Sequence, residues 1–287
     1  MPPVRERDAL ARRYAEPHLL QRLRTALDEA GLDPERLSCE AVAAIDQLHV
    51  GGRRASRQLA DRADLRPGAR VLDLGCGTGG SSRLLMQEYG ARVVGVDITP
   101  DYLAVARWLN RATGLAGACA LMRADASHLP FGAASFDGIW VQHTFMNVPD
   151  MDRALAEAVR VLRPGGYLWL HEVIRGEGDG PLSLPVPWAD EARHSHLLTR
   201  EALEARLRAA GLQTLVFEDI SQDALAWRSK HTRREAAGGG IRLSPVLIFG
   251  PRFLDMGRNV MENLKADRIR IVQAILRRGD DRSLAPA

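Results

Sequence analysis

VLDLGCGTGG, residues 71–80, runs from an apolar strand through a glycine-rich turn into the start of a helix. Gly75, Gly77 and Gly80 stand in G-x-G-x-x-G spacing. Dinucleotide-binding proteins share that spacing, and a tight turn that merely needs glycine could also produce it. Outward from this turn, short apolar runs alternate with helical stretches. The runs are ARVLDLG (69–75), ARVVGVD (91–97), ACALMRAD (118–125), FDGIWVQ (136–142), GYLWLHEV (166–173) and LQTLVFED (212–219). Between them, 80–89, 100–113, 150–162 and 199–210 have helical character. Continuous apolar strands separated by helices predict a sheet covered on both faces. RIRIVQAIL (268–276), rich in β-branched residues, is expected to be the last strand, at an edge beside 212–219. The prediction is a doubly wound, mostly parallel α/β fold of seven strands.

The remaining segments predict how a site is closed. Leu19, Leu20, Leu23 and Leu27 recur at helical spacing, and Gly31 with Pro34 ends that helix. A second short helix should carry Ala41 to Leu48. Residues 1–60 therefore read as a helical N-terminal lid and 61–220 as the core, which includes a proline-rich loop at 174–198. Residues 221–266 read as a helical cap around a glycine linker, and 267–287 as the final strand and tail. Insertions of this kind sit where strands end, which is where ligands bind in open α/β sheets.

Composition narrows the partners. The 287 residues are 46% hydrophobic and 26% charged, with 39 basic against 36 acidic side chains and a net charge of +3. Lys230 and Lys265 are the only lysines, and arginines alternate with acids along the helices. That pattern suits solvated helix faces and lacks the basic stripe of a nucleic-acid footprint. Cys39, Cys76 and Cys119 are too few and scattered for a disulfide framework or a thiolate metal site. The first residues lack the apolar core of a signal peptide, and no run of about 18 apolar residues occurs. The expectation is a cytoplasmic protein, monomer or homodimer, without membrane, nucleic-acid or metal partners.

Acids at three successive strand ends name a ligand. Asp73 lies two residues before Gly75, where it would repel a pyrophosphate and attract an ammonium group. S-adenosylmethionine carries that ammonium, with a carboxylate that suits a helix N-terminus. Asp97 is placed to accept hydrogen bonds from two ribose hydroxyls. Asp125 and Ala126 follow the third strand, where they could read the adenine amino group and ring edge. Each acid alone could be a helix cap or a surface turn; together they form a ladder for a cationic nucleoside.

VLDLGCGTGG, VVGVDIT (93–99), RADASHLPF (123–131), SFDGIWVQH (135–143) and RVLRPGGYL (160–168) together resemble the class I S-adenosylmethionine-dependent methyltransferases over residues 60–175. The resemblance implies their Rossmann-like fold and cofactor. It also implies that Asp73, Gly75, Cys76 and Gly77 hold the methionine end, Asp97 and Ile98 the ribose and adenine, and Asp125 and Ala126 the adenine. RPGG (163–166) resembles the structural turn before the fifth strand. DQLHVGG (46–52), VQHTFMNVPD (141–150), PVPWAD (185–190) and RIRIVQAILRR (268–278) resemble a small-molecule branch that includes sarcosine/dimethylglycine N-methyltransferases and quinone C-methyltransferases. Natural-product O-methyltransferases often carry a His-His pair where Met146–Asn147 stands here. The pattern Gln142–His143 with Met146–Asn147 fits the amine branch. VPD replaces the N-P-P-Y type tetrad of enzymes that methylate nucleic-acid amino groups.

An amine acceptor needs no base, whereas a hydroxyl or acidic carbon benefits from one. His143, after the fourth strand, is the candidate base or orienting residue; a histidine bonded into the pocket wall is the alternative. Gln142 could touch the methionine backbone. His49, Phe145, Asn147, Trp188 and His194 are candidate acceptor contacts, His49 as part of the lid, and His171 could face the same pocket. Arg175, beyond the fifth strand, could hold an acceptor carboxylate. His194 and His196 are two residues apart, but no third ligand at convincing spacing accompanies them. A protein that binds the nucleoside without transferring a methyl group is the rival reading.

Overall fold

A computed structural model describes residues 11, 13–236 and 243–280. The first ten residues, most of the glycine linker and the last seven residues lie outside the described residues. Seven strands form one sheet in the order β3-β2-β1-β4-β5-β7-β6. They are β1 (Arg70–Leu74), β2 (Arg92–Asp97), β3 (Ala120–Arg123), β4 (Phe136–Gln142), β5 (Leu162–Arg175), β6 (Leu212–Asp219) and β7 (Ile269–Arg278). β1 through β5 pair in parallel, and β7 is antiparallel to both of its neighbours. The chain runs outward from β1 in both directions, so the strand order reverses between β1 and β4. Their C-terminal ends open there into a crevice of the kind that binds ligands.

The final strand differs from expectation in place. β7 lies between β5 and β6, and β6 is the edge. Ile269, Ile271, Val272, Ala274 and Leu276 are all fully buried, whereas Leu215 on β6 is 47% exposed. The apolar density of β7 is that of an interior strand covered on both faces. RPGG also differs: it lies inside β5, at a register shift between Phe136↔Leu162 and Gly138↔Tyr167. β3 is shorter than its apolar run and largely exposed, as its edge position requires.

The N-terminal helices and the cap share one apolar cluster. Leu19, Leu23 and Leu27 from the helix Leu19–Glu29 pack with Trp108 and Leu109 from the helix Pro100–Ala112, and with Ile248 and Phe253 from the cap. The lid is clamped at one further point. Gly80 opens the helix Gly80–Tyr89, and a Cβ there would lie 2.2 Å from Asp46 O. The third glycine of the motif thus admits the end of the helix Cys39–Asp46. Arg83 holds that contact: Nη2 donates to Asp46 Oδ2 at 2.9 Å and to Thr78 O at 2.7 Å, and Nη1 donates to Asn110 Oδ1 at 2.8 Å. Both charged side chains are fully buried. Removing one partner of such a pair strands the other charge in a dry environment.

Candidate active site

Three strand ends and the N-terminal residues Tyr14, Asp46, Leu48 and His49 line one cavity of about 1400 Å³, counting its open mouth. Asp73 closes β1 and is almost wholly buried; its Oδ2 accepts from Ser82 Oγ at 2.5 Å. Burial pushes its carboxyl up to about 7. Asp97, ending β2, accepts from Gly77 N with Oδ2 and from Thr99 N with Oδ1, both at 2.8 Å. Burial raises its carboxyl, and these backbone donors oppose the rise. Asp125 accepts from Ser127 N at 2.8 Å. All three line the cavity with Gly75, Cys76, Gly77, Ile98, Ala126 and Gln142. Burial makes Cys76 a poor thiolate, since its pKa is raised well above the ordinary value.

Gly75 shows how tightly the turn is built. At φ 79° it occupies the left-handed region, and a Cβ would lie 2.3 Å from Thr144 Oγ1. Thr144 is itself fixed: Oγ1 donates to Leu74 O at 2.9 Å, and its N–H donates to Glu172 Oε2 at 3.1 Å. Glu172 also accepts from Phe145 N at 2.8 Å. This buried carboxylate therefore anchors the loop that follows His143.

His143 has a left-handed backbone, φ 49°, with its N–H donating to His171 O at 2.9 Å. Non-glycine residues in that region are held there by their surroundings, commonly at functional sites. Its Nε2 is buried and has no hydrogen-bond partner among the described residues. The His143 ring lies 5.0 Å from that of His171 and 5.9 Å from that of His49, centre to centre. Burial, with the His49 imidazole beside it, holds His143 well below the usual histidine range. His49 is pushed down to about 4 by burial. Both are neutral at physiological pH. His49 Nε2 is 3.1 Å from Gly52 O and 2.9 Å from Ser56 Oγ. Ser56 Oγ in turn donates to Gln142 Oε1 at 3.3 Å, and Ser81 Oγ donates to the same oxygen. Gln142 thus joins lid, glycine-loop helix and β4.

Asn147 and Trp188 line the cavity with His49 and His143. Asn147 Oδ1 accepts from Tyr14 Oη at 2.8 Å, and its Nδ2 donates to His143 O at 3.1 Å. Trp188 Nε1 donates to Ser195 Oγ at 2.9 Å, which fixes the indole in the wall. The structure does not bring the other expected acceptor residues to the cavity. Phe145 is 1% exposed and points into the core with Val141, Met151 and Leu155, because the short 3-10 turn Phe145–Asn147 rotates it inward. His194 lies on another 3-10 turn, Ala192–His194, away from the lining. His171 is buried behind His143 and His49, with Nδ1 3.3 Å from Gln273 Nε2. Arg175, exposed at the end of β5, is also off the lining. Among the described residues no group of three His, Cys, Asp or Glu side chains is arranged to hold a metal ion. No helix of the described residues is long and apolar enough to cross a membrane.

Sequence reasoning missed Tyr14, Ser81, Glu172 and the Asp46–Arg83 pair. Ser81 directly follows the glycine motif and could have been found by position. The others carry no local signal, since their partners lie far away in the chain.

A family model described as a methyltransferase domain matches residues 72–170, the stretch that contributes all three acids and His143. The chain is 37% identical over 185 residues to Methyltransferase GfsG of Streptomyces halstedii, covering 62% of this chain and 65% of that one. It is 31% identical over 170 residues to a sarcosine/dimethylglycine N-methyltransferase of Halorhodospira halochloris, covering 58% and 61%. It therefore spans less than two thirds of the length of these relatives. Among solved structures, the [4+2]-cyclase SpnF superposes with a TM-score of 0.66 at 26% identity, over 90% of this chain and 93% of that one. A phosphoethanolamine N-methyltransferase of Haemonchus contortus gives a TM-score of 0.74 at 19% identity, over 97% and 61%. The latter likeness concerns the fold. The matched stretch thus extends from β1 into β5.

Proposed function

We propose that this protein is an S-adenosylmethionine-dependent methyltransferase acting on a small molecule. The observation that carries the reading is the ladder Asp73, Asp97 and Asp125, whose carboxylates line one cavity with no lysine or arginine among its described lining residues. Such a donor set suits a ligand bearing an ammonium and a sulfonium and repels a pyrophosphate. The nucleoside fits these residues as follows. Asp73 and the turn at Gly75 and Gly77 would take the methionine end, Asp97 with Ile98 the ribose, and Asp125 with Ala126 the adenine. Three free cysteines suit a reducing cytoplasmic setting.

When bound, the cofactor supplies a methyl group already activated by the positive sulfur, which becomes an uncharged thioether as its carbon forms the new bond. The chain's own task is alignment and exclusion of water. Tyr14, Trp188 and Phe249 line the same cavity as the glycine turn. Asn147 ties the lid residue Tyr14 to the loop carrying His143. His143, which lines the cavity, is the chain's candidate for orienting the acceptor or taking up its proton as that acceptor forms its new bond.

The test is incubation of cell extract with the protein and deuteromethyl cofactor, followed by untargeted mass spectrometry. A labelled small-molecule product is expected, and His143→Ala should slow its formation by about two to four orders of magnitude if His143 is the base. Adenosylhomocysteine binding without any labelled product would favour a nucleoside-binding protein that does not transfer a methyl group. Its neighbour SpnF is named for a cyclisation rather than a transfer, which makes that outcome worth measuring.

A further inference from the structure

Resting on the methyl-transfer reading, we infer that Glu172, which lies outside the cavity lining, is a positioning residue for the cofactor turn. Its carboxylate sets the loop 143–147, and that loop braces the turn at Gly75. Glu172 stands near the end of β5 and is 2% exposed. Its Oε2 accepts from two consecutive amides of the loop, Thr144 N at 3.1 Å and Phe145 N at 2.8 Å, and its Oε1 accepts from Val173 N at 3.0 Å. Among the described residues these backbone groups, and no cation, receive the carboxylate. Burying a carboxylate without an ion pair is costly. The amides offset that cost only while the loop presents both of them to one oxygen.

The loop joins four parts of the site. His143, at φ 49°, donates its N–H to His171 O at 2.9 Å, and the two rings pack 5.0 Å apart. Consecutive residues of β5, His171 and Glu172, thus grip consecutive residues of the loop. Thr144 Oγ1 donates to Leu74 O at 2.9 Å, and a Cβ at Gly75 would lie 2.3 Å from that same oxygen. The place of Thr144 therefore decides the shape of the glycine turn. Met146 O accepts from His196 N at 3.0 Å, which joins the proline-rich loop, and Asn147 Oδ1 accepts from Tyr14 Oη at 2.8 Å, which joins the lid. His143, Thr144, Met146 and Asn147 all line the cavity. Releasing the two amides would loosen the turn assigned to the methionine end, although Glu172 is not itself in the wall.

Reach, rather than charge, is what this role requires. Gln at position 172 keeps an acceptor oxygen at the same distance along the side chain. Asp keeps the charge but is shorter by one methylene and cannot hold both amides. Leu keeps the volume and removes the acceptor.

The experiment is calorimetry with adenosylhomocysteine on the full chain. Wild type is titrated first, and its failure to bind would remove the methyl-transfer reading before Glu172 is tested. We expect Glu172→Gln to bind within about threefold of wild type. Glu172→Asp and Glu172→Leu should bind about tenfold more weakly or worse, the worth of one displaced hydrogen bond. Urea unfolding establishes that each variant is folded when titrated, because lower stability of a folded variant leaves its dissociation constant unchanged. Hydrogen exchange gives the second readout: the Thr144 and Phe145 amides should lose protection in Glu172→Asp while those of β1 keep theirs. Wild-type affinity in Glu172→Asp or Glu172→Leu would overturn the inference. A loss in Glu172→Gln as large as in Glu172→Asp would overturn it too, since charge and not reach would then be at work. If Glu172→Leu does not fold, the comparison of Gln with Asp decides the matter alone.

Discussion

Gly75→Ala tests whether the glycine turn and the loop after β4 are built as one unit. The new methyl would lie 2.3 Å from Thr144 Oγ1 and 2.7 Å from its Cγ2, at a backbone φ of 79°. Thr144 cannot swing away cheaply, because Oγ1 donates to Leu74 O and its amide is held by Glu172. The left-handed backbone costs a residue with a Cβ about 1–2 kcal/mol. Overpacking against a fixed neighbour adds about 1–3 kcal/mol. The expected loss is thus about 2–5 kcal/mol, within the roughly 5–15 kcal/mol that a domain of ordinary stability possesses. The double variant Gly75→Ala with Thr144→Ala removes the close atoms but leaves the backbone cost. The pair should therefore couple by about 1–3 kcal/mol, read as the failure of additivity in urea unfolding. Additivity within about 0.5 kcal/mol, or a single-variant loss below about 1 kcal/mol, would refute the picture of a rigid turn wedged against Thr144.

Arg83→Met should cost about 3–5 kcal/mol in urea unfolding, because Asp46 is left buried without its partner. Adding Asp46→Leu should recover part of that loss, and a larger loss in the double variant would contradict the pairing. Trp188→Ala should destabilise by about 3–5 kcal/mol by opening a cavity where the indole fills the wall. Adenosylhomocysteine affinity should rise between pH 5.5 and 7.5 as Asp73, pushed up to about 7 by burial, ionises to receive the ammonium. Asp73→Asn should flatten that profile in calorimetry. Glu172 is likewise raised to about 7 by burial, so the native state holds its proton where the unfolded chain has lost it. Its contribution to stability is present in acid and is lost as pH rises from about 4 to about 7. Denaturant midpoints should show that slope in the wild type and less of it in Glu172→Gln.

The alternation of apolar runs and helices was enough to read the sheet and the crevice, because interior strands announce themselves by burial on both faces. Asp73, Asp97 and Asp125 were legible for the same reason: a strand end next to a helix start has a fixed place. β7 was legible as a strand but not as an interior one, since nothing local distinguishes insertion between β5 and β6 from addition at the edge. Phe145 was misplaced because a single 3-10 turn decides which way the ring points. The Asp46–Arg83 clamp, Tyr14 with Asn147, and the Glu172 anchor join residues distant in the chain. Each was visible only as an ordinary charged or polar residue on a helix or strand.

The most direct measurement pits two nucleotides against each other on the same protein. Equilibrium titration should show adenosylhomocysteine saturating one site per chain while NAD at millimolar concentration leaves that curve unmoved. Displacement of adenosylhomocysteine by NAD, or NAD uptake alone, would contradict the assignment of the three strand-end carboxylates to a positively charged nucleoside.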